Sequence, residues 1–91
     1  MAKLIRDVTI RNQRGLHARA SAQLVKLCQG FACEIEVCKD GQAVSASSIM
    51  GLMMLAAGPG SLVTITAEGP DAEKAVDAIC ALIDDFFGEG G

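Results

Sequence analysis

The sequence predicts an α+β fold in which four mostly antiparallel strands are covered on one face by three helices. Three observations predict it. The short strand-like segments alternate between apolar and polar residues, so their sheet has one covered face and one wet face. Two longer segments carry apolar residues at spacings of three and four, the mark of an amphipathic helix. A third helix, over 48–55, is short and opens on Ser48, a good N-cap. The order is β-α-β-β-α-β-α, without an internal repeat or a linker, and 91 residues suffice for one domain, 1–91, around a small core.

The first strand is expected over 3–11, where Val8 and Ile10 alternate with Asp7, Thr9 and Arg11. The first helix is expected over 18–29, with Ala20, Leu24, Leu27, Cys28 and then Phe31 on its apolar side and Gly30 as its terminator. Residues 32–39 form the second strand. Cys33, Ile35 and Val37 face one way, and Glu34, Glu36 and Cys38 the other. Asp40-Gly41 is a two-residue hairpin signal leading to a third strand over 42–45. Gly58-Pro59-Gly60 breaks the chain after the short helix. A fourth strand then covers 61–67, with Val63, Ile65 and Ala67 on one face and Thr64 and Thr66 on the other.

Gly69-Pro70-Asp71 opens the last helix, with Pro70 in its tolerated first turn and Asp71 and Glu73 complementing the dipole. Its apolar stripe is Ala72, Ala75, Val76, Ile79, Ile83 and Phe86, and the tail over 88–91 is expected to fray.

Composition narrows the function. Half of the residues are apolar, which argues against disorder, and no apolar run is long enough to span a bilayer. The first seven residues are too short and too interrupted for a secretory signal, so a cytoplasmic protein is expected. Cys28, Cys33, Cys38 and Cys80 show no C-x-x-C spacing, and one histidine cannot complete a zinc pattern. Buried reduced thiols are favoured over a disulfide or metal site, and no cofactor is expected.

The net charge of −3 is unevenly spread. Residues 1–26 set six basic side chains against Asp7, for +5; residues 27–91 set Lys39 and Lys74 against ten acids, for −8. A basic patch within an acidic protein suits phosphate or an acidic partner. Nucleic acid does not fit a chain with three Phe, no Tyr and no Trp.

The chemistry concentrates at Gly15-Leu16-His17-Ala18-Arg19. His17 is the only histidine, and it stands between a glycine turn and a helix start. Backbone N–H groups at a helix N-terminus lack intrahelical partners and carry partial positive charge, so they accept phosphate. An imidazole, an anion-binding backbone at Ala18 and Arg19 two residues on make a phosphoryl acceptor. Without further context, a lone histidine is more often a surface or capping residue. Gly15 permits the tight turn, and Asn12 is placed to hydrogen-bond across it.

Three segments carry a resemblance over about residues 4 to 87: Asn12 to Arg19, Ser48-Ile49-Met50-Gly51-Leu52-Met53, and the terminal helix from Gly69 to Phe86. They resemble the HPr family, the histidine-containing phosphocarriers of the bacterial phosphoenolpyruvate-dependent phosphotransferase system. The resemblance implies an open-faced β-sandwich with the fourth strand between the first and second. It implies that His17 takes a phosphoryl group from enzyme I on Nδ1 and passes it to a IIA-type protein, with Arg19 beside that group. Ser48 matches the serine that a separate HPr kinase/phosphorylase modifies in members regulated in that way.

The chain departs from the common pattern at Ala20, where many members have proline, and at Ser47, where many have lysine. Its Ala-Arg-Ala-Ser form is more similar to the nitrogen-related branch of the system than to the sugar branch. Ile49, Met50, Leu52 and Met53, with Ala20, are expected to form an adaptable docking patch beside His17, although some of them must be core. A monomeric carrier without membrane contact is expected. The alternative is a regulatory binding module in which the phosphorylation state of His17 or Ser48 serves only to control partner binding. A self-sufficient enzyme is disfavoured, because the sequence offers no general acid/base constellation.

Overall fold

The computed structural model describes residues 3–89. Strand β1 spans Lys3–Thr9, helix α1 Ala18–Cys28, strand β2 Glu34–Lys39, strand β3 Gln42–Ser45, helix α2 Ile49–Met54, strand β4 Leu62–Glu68 and helix α3 Ala72–Asp84. A 3-10 turn over Phe86–Gly88 closes the chain. The strands lie in the order β1-β4-β2-β3, and each neighbouring pair is antiparallel. The fold is thus the expected four-stranded sheet with three helices, and β4 sits between β1 and β2.

Alternation sets the register. Ile35 and Val37 of β2 and Val63, Ile65 and Ala67 of β4 are buried, while Glu34, Glu36 and Leu62 point out. On the covered face they meet Ala20, Leu24 and Val25 of α1, Leu52 of α2 and the α3 stripe Ala72, Ala75, Val76, Ile79 and Ile83. Each large aliphatic side chain removed from water there contributes about 1.5–3 kcal/mol. On the wet face Asp7 and Thr64 stand directly opposite, and the Thr64 hydroxyl donates to the Asp7 carboxylate at 2.7 Å. The β2–β3 hairpin turns through Asp40 and Gly41 with both residues at positive φ, 50° and 82°, which matches the twist of the strands it joins.

Several expectations need correction. Strand β1 stops at Thr9, two residues early, because Ile10 pairs with the lead-in to β4: its N–H donates to Ser61 at 2.9 Å and its carbonyl accepts from Gly60 at 2.8 Å. Strand β2 starts at Glu34, because Ala32 is tied to Asp71 in both directions, N–H to carboxylate at 2.8 Å and carbonyl to N–H at 3.3 Å. Asp71 therefore braces that loop with its side chain and makes no side-chain cap on α3. Pro70 lies in the turn before the helix, not within its first turn.

The four cysteines are free, as expected, but half-buried instead of buried. Burial, and then the neighbouring Cys33, pushes the Cys28 thiol up to about 11, so it is an inert packing group at neutral pH.

The largest departure is at the C-terminal end. Phe86 was expected to continue the α3 stripe, yet it is half-exposed and Phe87 enters the core at 2% exposure. Both residues take positive φ, 58° and 52°, which swings the chain off the helix axis and exchanges their places. The tail is not frayed at Glu89. Its N–H donates to Phe86 at 2.9 Å, and its side chain reaches the His17 loop. Residues 90 and 91 lie outside the described residues.

Candidate functional site

The site is built by two loops and a helix end. The loop from Ile10 to His17 packs against the α2–β4 loop, where the Leu16 N–H donates to the Ala57 carbonyl at 2.9 Å. Gly15 sits at φ 63° with its backbone pressed on that loop: a Cβ there would stand 2.2 Å from the Ala57 carbonyl oxygen. Only glycine fits both conditions. The Gly15 N–H closes a turn onto the Asn12 carbonyl at 3.1 Å, and the fully buried Asn12 side chain donates from Nδ2 to the Gly15 carbonyl at 2.9 Å. Asn12 thus clamps the turn from within. Its Oδ1 is buried without a hydrogen-bond partner.

His17 is the N-cap of α1. Its backbone is extended, its carbonyl accepts the Ser21 N–H at 2.9 Å, and its ring Nδ1 accepts from the Arg19 N–H at 3.2 Å. Ser21 is fully buried, and its hydroxyl donates to the Leu16 carbonyl at 3.1 Å, fixing the residue just before the histidine. The first helical amides, at Ala18 and Ala20, fall where an α-helix has no internal acceptor to offer. Ala18 and Arg19 are exposed, and among the described residues the Arg19 guanidinium makes no ion pair. Two other arginines of the basic N-terminal third are held by α3 instead: Arg6 by Asp77 at 2.9 Å and Arg11 by Asp84 at 3.2 Å.

On its far side the ring Nε2 of His17 is bonded to the Glu89 carboxylate. The other carboxylate oxygen accepts from Asn12 Nδ2 at 3.0 Å. The Asn12 amide first, and the imidazole second, hold the Glu89 carboxyl below its ordinary range. Glu89 was not legible in the sequence, because a carboxylate in a glycine-rich tail carries no local signal of where it lands.

His17 lines a shallow depression of about 270 Å³ with Arg14, Met53, Ala56 and Gly58. Larger hollows lie elsewhere, including one of about 860 Å³ beside Leu27, Phe31 and Leu82. Shallowness suits a group handed between proteins, since a small-molecule site encloses its ligand.

The expected docking residues separate into two sets. Met50 is 69% exposed, and Ile49 and Met53 are 40% and 39% exposed. Leu52 and Ala20 are fully buried, Leu52 under α2 and Ala20 under α1, so neither can touch a partner. Met54, at 67%, belongs to the exposed set: it lies four residues after Met50 and shares its face of α2. Ser48 caps α2, its hydroxyl accepting from the Gly51 N–H at 3.0 Å. Among the described residues no group of side chains could hold a metal ion, and no helix is long and apolar enough to cross a membrane.

Comparison with known proteins agrees with this geometry. Residues 4–85 match the PTS-HPr family model, described as the PTS HPr component phosphorylation site. The chain is similar to the phosphocarrier protein HPr of Cupriavidus necator, with 54% identity over 96% of this chain and 98% of that one. It is 47% identical to the phosphocarrier protein NPr of Shewanella violacea, over 98% of each. A crystal structure of a phosphocarrier protein HPr from Bacillus anthracis superposes with a TM-score of 0.87 at 43% identity, covering 91% of this chain and 99% of that one. Sheet order, helix-capping histidine and near-full-length identity converge on one assignment: the chain belongs to the HPr family, phosphocarriers of the phosphotransferase system that relay a phosphoryl group and are not enzymes in their own right.

Proposed function

We propose that His17 is the residue that carries the phosphoryl group, taking it from phospho-enzyme I on Nδ1 and passing it to a IIA-type protein. The observation that carries this reading is the contact of Nδ1 with the Arg19 N–H at the start of α1. A backbone amide can only donate, so Nδ1 bears the lone pair, and a lone pair is what attacks phosphorus. The bond would yield as the phosphoryl group arrives, leaving the same N–H groups and Arg19 to meet its oxygens by charge-assisted hydrogen bonds. Phosphoryl transfer needs positioning and charge stabilisation above all, and this loop supplies both.

Ser48 is the proposed regulatory phosphorylation site, read by an HPr kinase/phosphorylase where the cell has one. Ile49, Met50, Met53 and Met54 form the proposed docking surface. Met53 lines the same depression as His17, which joins the two. The Ala-Arg-Ala-Ser sequence from Ala18 to Ser21 and the likeness to an NPr protein support a place in the nitrogen-related branch, while the HPr relatives keep sugar uptake as the competing assignment.

The test is incubation with phosphoenolpyruvate and enzyme I. An acid-labile phosphate on the wild-type protein, absent from His17→Ala, is the expected result. Labelling that survives the substitution would overturn the assignment. Presenting the labelled protein to IIA proteins of either branch then identifies the acceptor.

A further inference from the structure

Two contacts on the His17 ring agree on one proton arrangement. Nδ1 faces a backbone N–H, which can only donate. Nε2 faces the Glu89 carboxylate, which can only accept while ionised. The proton therefore sits on Nε2. The contact with Glu89 is not a loose surface encounter. The side chains of His17 and Glu89 are 18% and 15% exposed, and the second oxygen of Glu89 is held by the fully buried Asn12. The tail that bears Glu89 is anchored by Phe87 in the core and turned back by two consecutive positive-φ residues. Positive φ disfavours such bulky residues, so the packing that holds them there also fixes where Glu89 falls.

We propose that Glu89 is a positioning residue for phosphoryl transfer: latched by Asn12, its carboxylate holds the proton on Nε2 of His17 and so presents Nδ1 as the nucleophile. This rests on the phosphocarrier reading. The same contact acts again after transfer. When the Nδ1 lone pair forms the P–N bond, the bond from phosphorus to the donor breaks and its electron pair leaves with the donor. No proton leaves Nε2, so the ring becomes a phosphorylated imidazolium, and Glu89 is its counter-ion. In the onward step the P–N electron pair returns to Nδ1 and a neutral imidazole departs. Had Nε2 lost its proton, the leaving group would be an imidazolate, a far poorer one. Glu89 thereby plays toward His17 the part that an aspartate plays toward the histidine of a hydrolase triad, orienting the ring and balancing its charge. Arg14 and Arg19 are the cations nearest in the chain, and Glu89 is the carboxylate that offsets the ring cation.

Ring ¹⁵N resonances of the unphosphorylated wild type, Glu89→Gln and Glu89→Ala, recorded at mildly alkaline pH, test the first half. The wild type should show a pyridine-type Nδ1. Glu89→Gln keeps an acceptor and should retain it; Glu89→Ala should move toward a mixture of tautomers. Wild-type ring shifts in Glu89→Ala would overturn the proposal. No phosphoryl donor is needed, so this readout decides the matter even if the wild type takes no phosphate, an outcome that would sink the carrier reading instead. The second half is read from transfer to a IIA-type acceptor. Glu89→Gln leaves one oxygen to accept from Nε2 but removes the charge, and should slow transfer about threefold to tenfold. Transfer at the wild-type rate would overturn the counter-ion role.

Discussion

Two short stretches of this protein solve the same local problem with different residues. His17 and Ser48 each stand at the N-cap of a helix, and each accepts a backbone N–H, Arg19 for the ring nitrogen and Gly51 for the hydroxyl. Both are proposed to receive phosphate. Their surroundings differ. The His17 turn is bolted to the α2–β4 loop through Leu16 and Ala57, clamped by Asn12 and closed by Glu89. Ser48 has its capping bond, a local backbone tie to Ser45 at 3.1 Å and, beyond them, the exposed Ile49 and Met50. Capping chemistry alone therefore does not distinguish a relay position from a switch position. What distinguishes them is how much of the molecule is committed to holding the residue still.

The comparison can be broken most directly at the histidine. His17→Ala should remove phosphate uptake from phospho-enzyme I altogether, whereas Ser48→Ala should leave it standing. If Ser48→Ala abolished it as well, the two caps would not be separable. Phe87→Ala comes next. It empties a site that is 2% exposed and should cost about 3–5 kcal/mol in chemical denaturation. It should also free Glu89 from His17, so that the ring resonances change along with stability. Lost stability with an unchanged ring would show that the tail is not what delivers Glu89.

Smaller effects are expected at Ser48. Removing the cap with Ser48→Ala should cost about 1 kcal/mol. Ser48→Asp keeps an N-cap acceptor, so stability should hardly move, while transfer to His17 slows because negative charge is added near a face that must meet a phosphoprotein. An unaltered rate would leave capping as the whole role of that residue.

The mildest test is pH. The Glu89 carboxyl is held below its ordinary range, so docking of the tail adds stability that is complete above that range and is lost as pH falls through the lower value. Amide exchange at Glu89 should accelerate in acid before the amides of β4 do. Simultaneous loss would mean that the tail opens only with the whole fold.

The fold was largely legible before any coordinates. Period-two alternation in β2 and β4 and the three-and-four spacing in α3 as far as Ile83 are direct consequences of one buried face, and they survive. Strand and helix ends were less legible, because long-range partners set them: Ser61 draws Ile10 out of β1, and Asp71 leaves its own helix to brace Ala32. Within the site, His17, Gly15 and Asn12 could be named because glycine turns and helix starts are local signals. Glu89 could not. It is 72 residues from His17, and it arrives by two left-handed phenylalanines that no propensity favours. Leu52 fell on the wrong side because a short helix of mixed methionine and leucine does not say which of them faces inward, whereas the burial of Ala20 follows from its place on the apolar side of α1.

Asn12 carries a consequence of its own. Both hydrogens of its side-chain amide are engaged, one on Gly15 and one on Glu89, and its oxygen meets no donor. Deamidation to aspartate would alter a single heavy atom and barely change the shape. It would set a carboxylate against a carbonyl and another carboxylate, turning a latch into a repulsive wedge behind the histidine. Chemical ageing at one buried nitrogen could thus silence the relay without touching the ring that bears the phosphate.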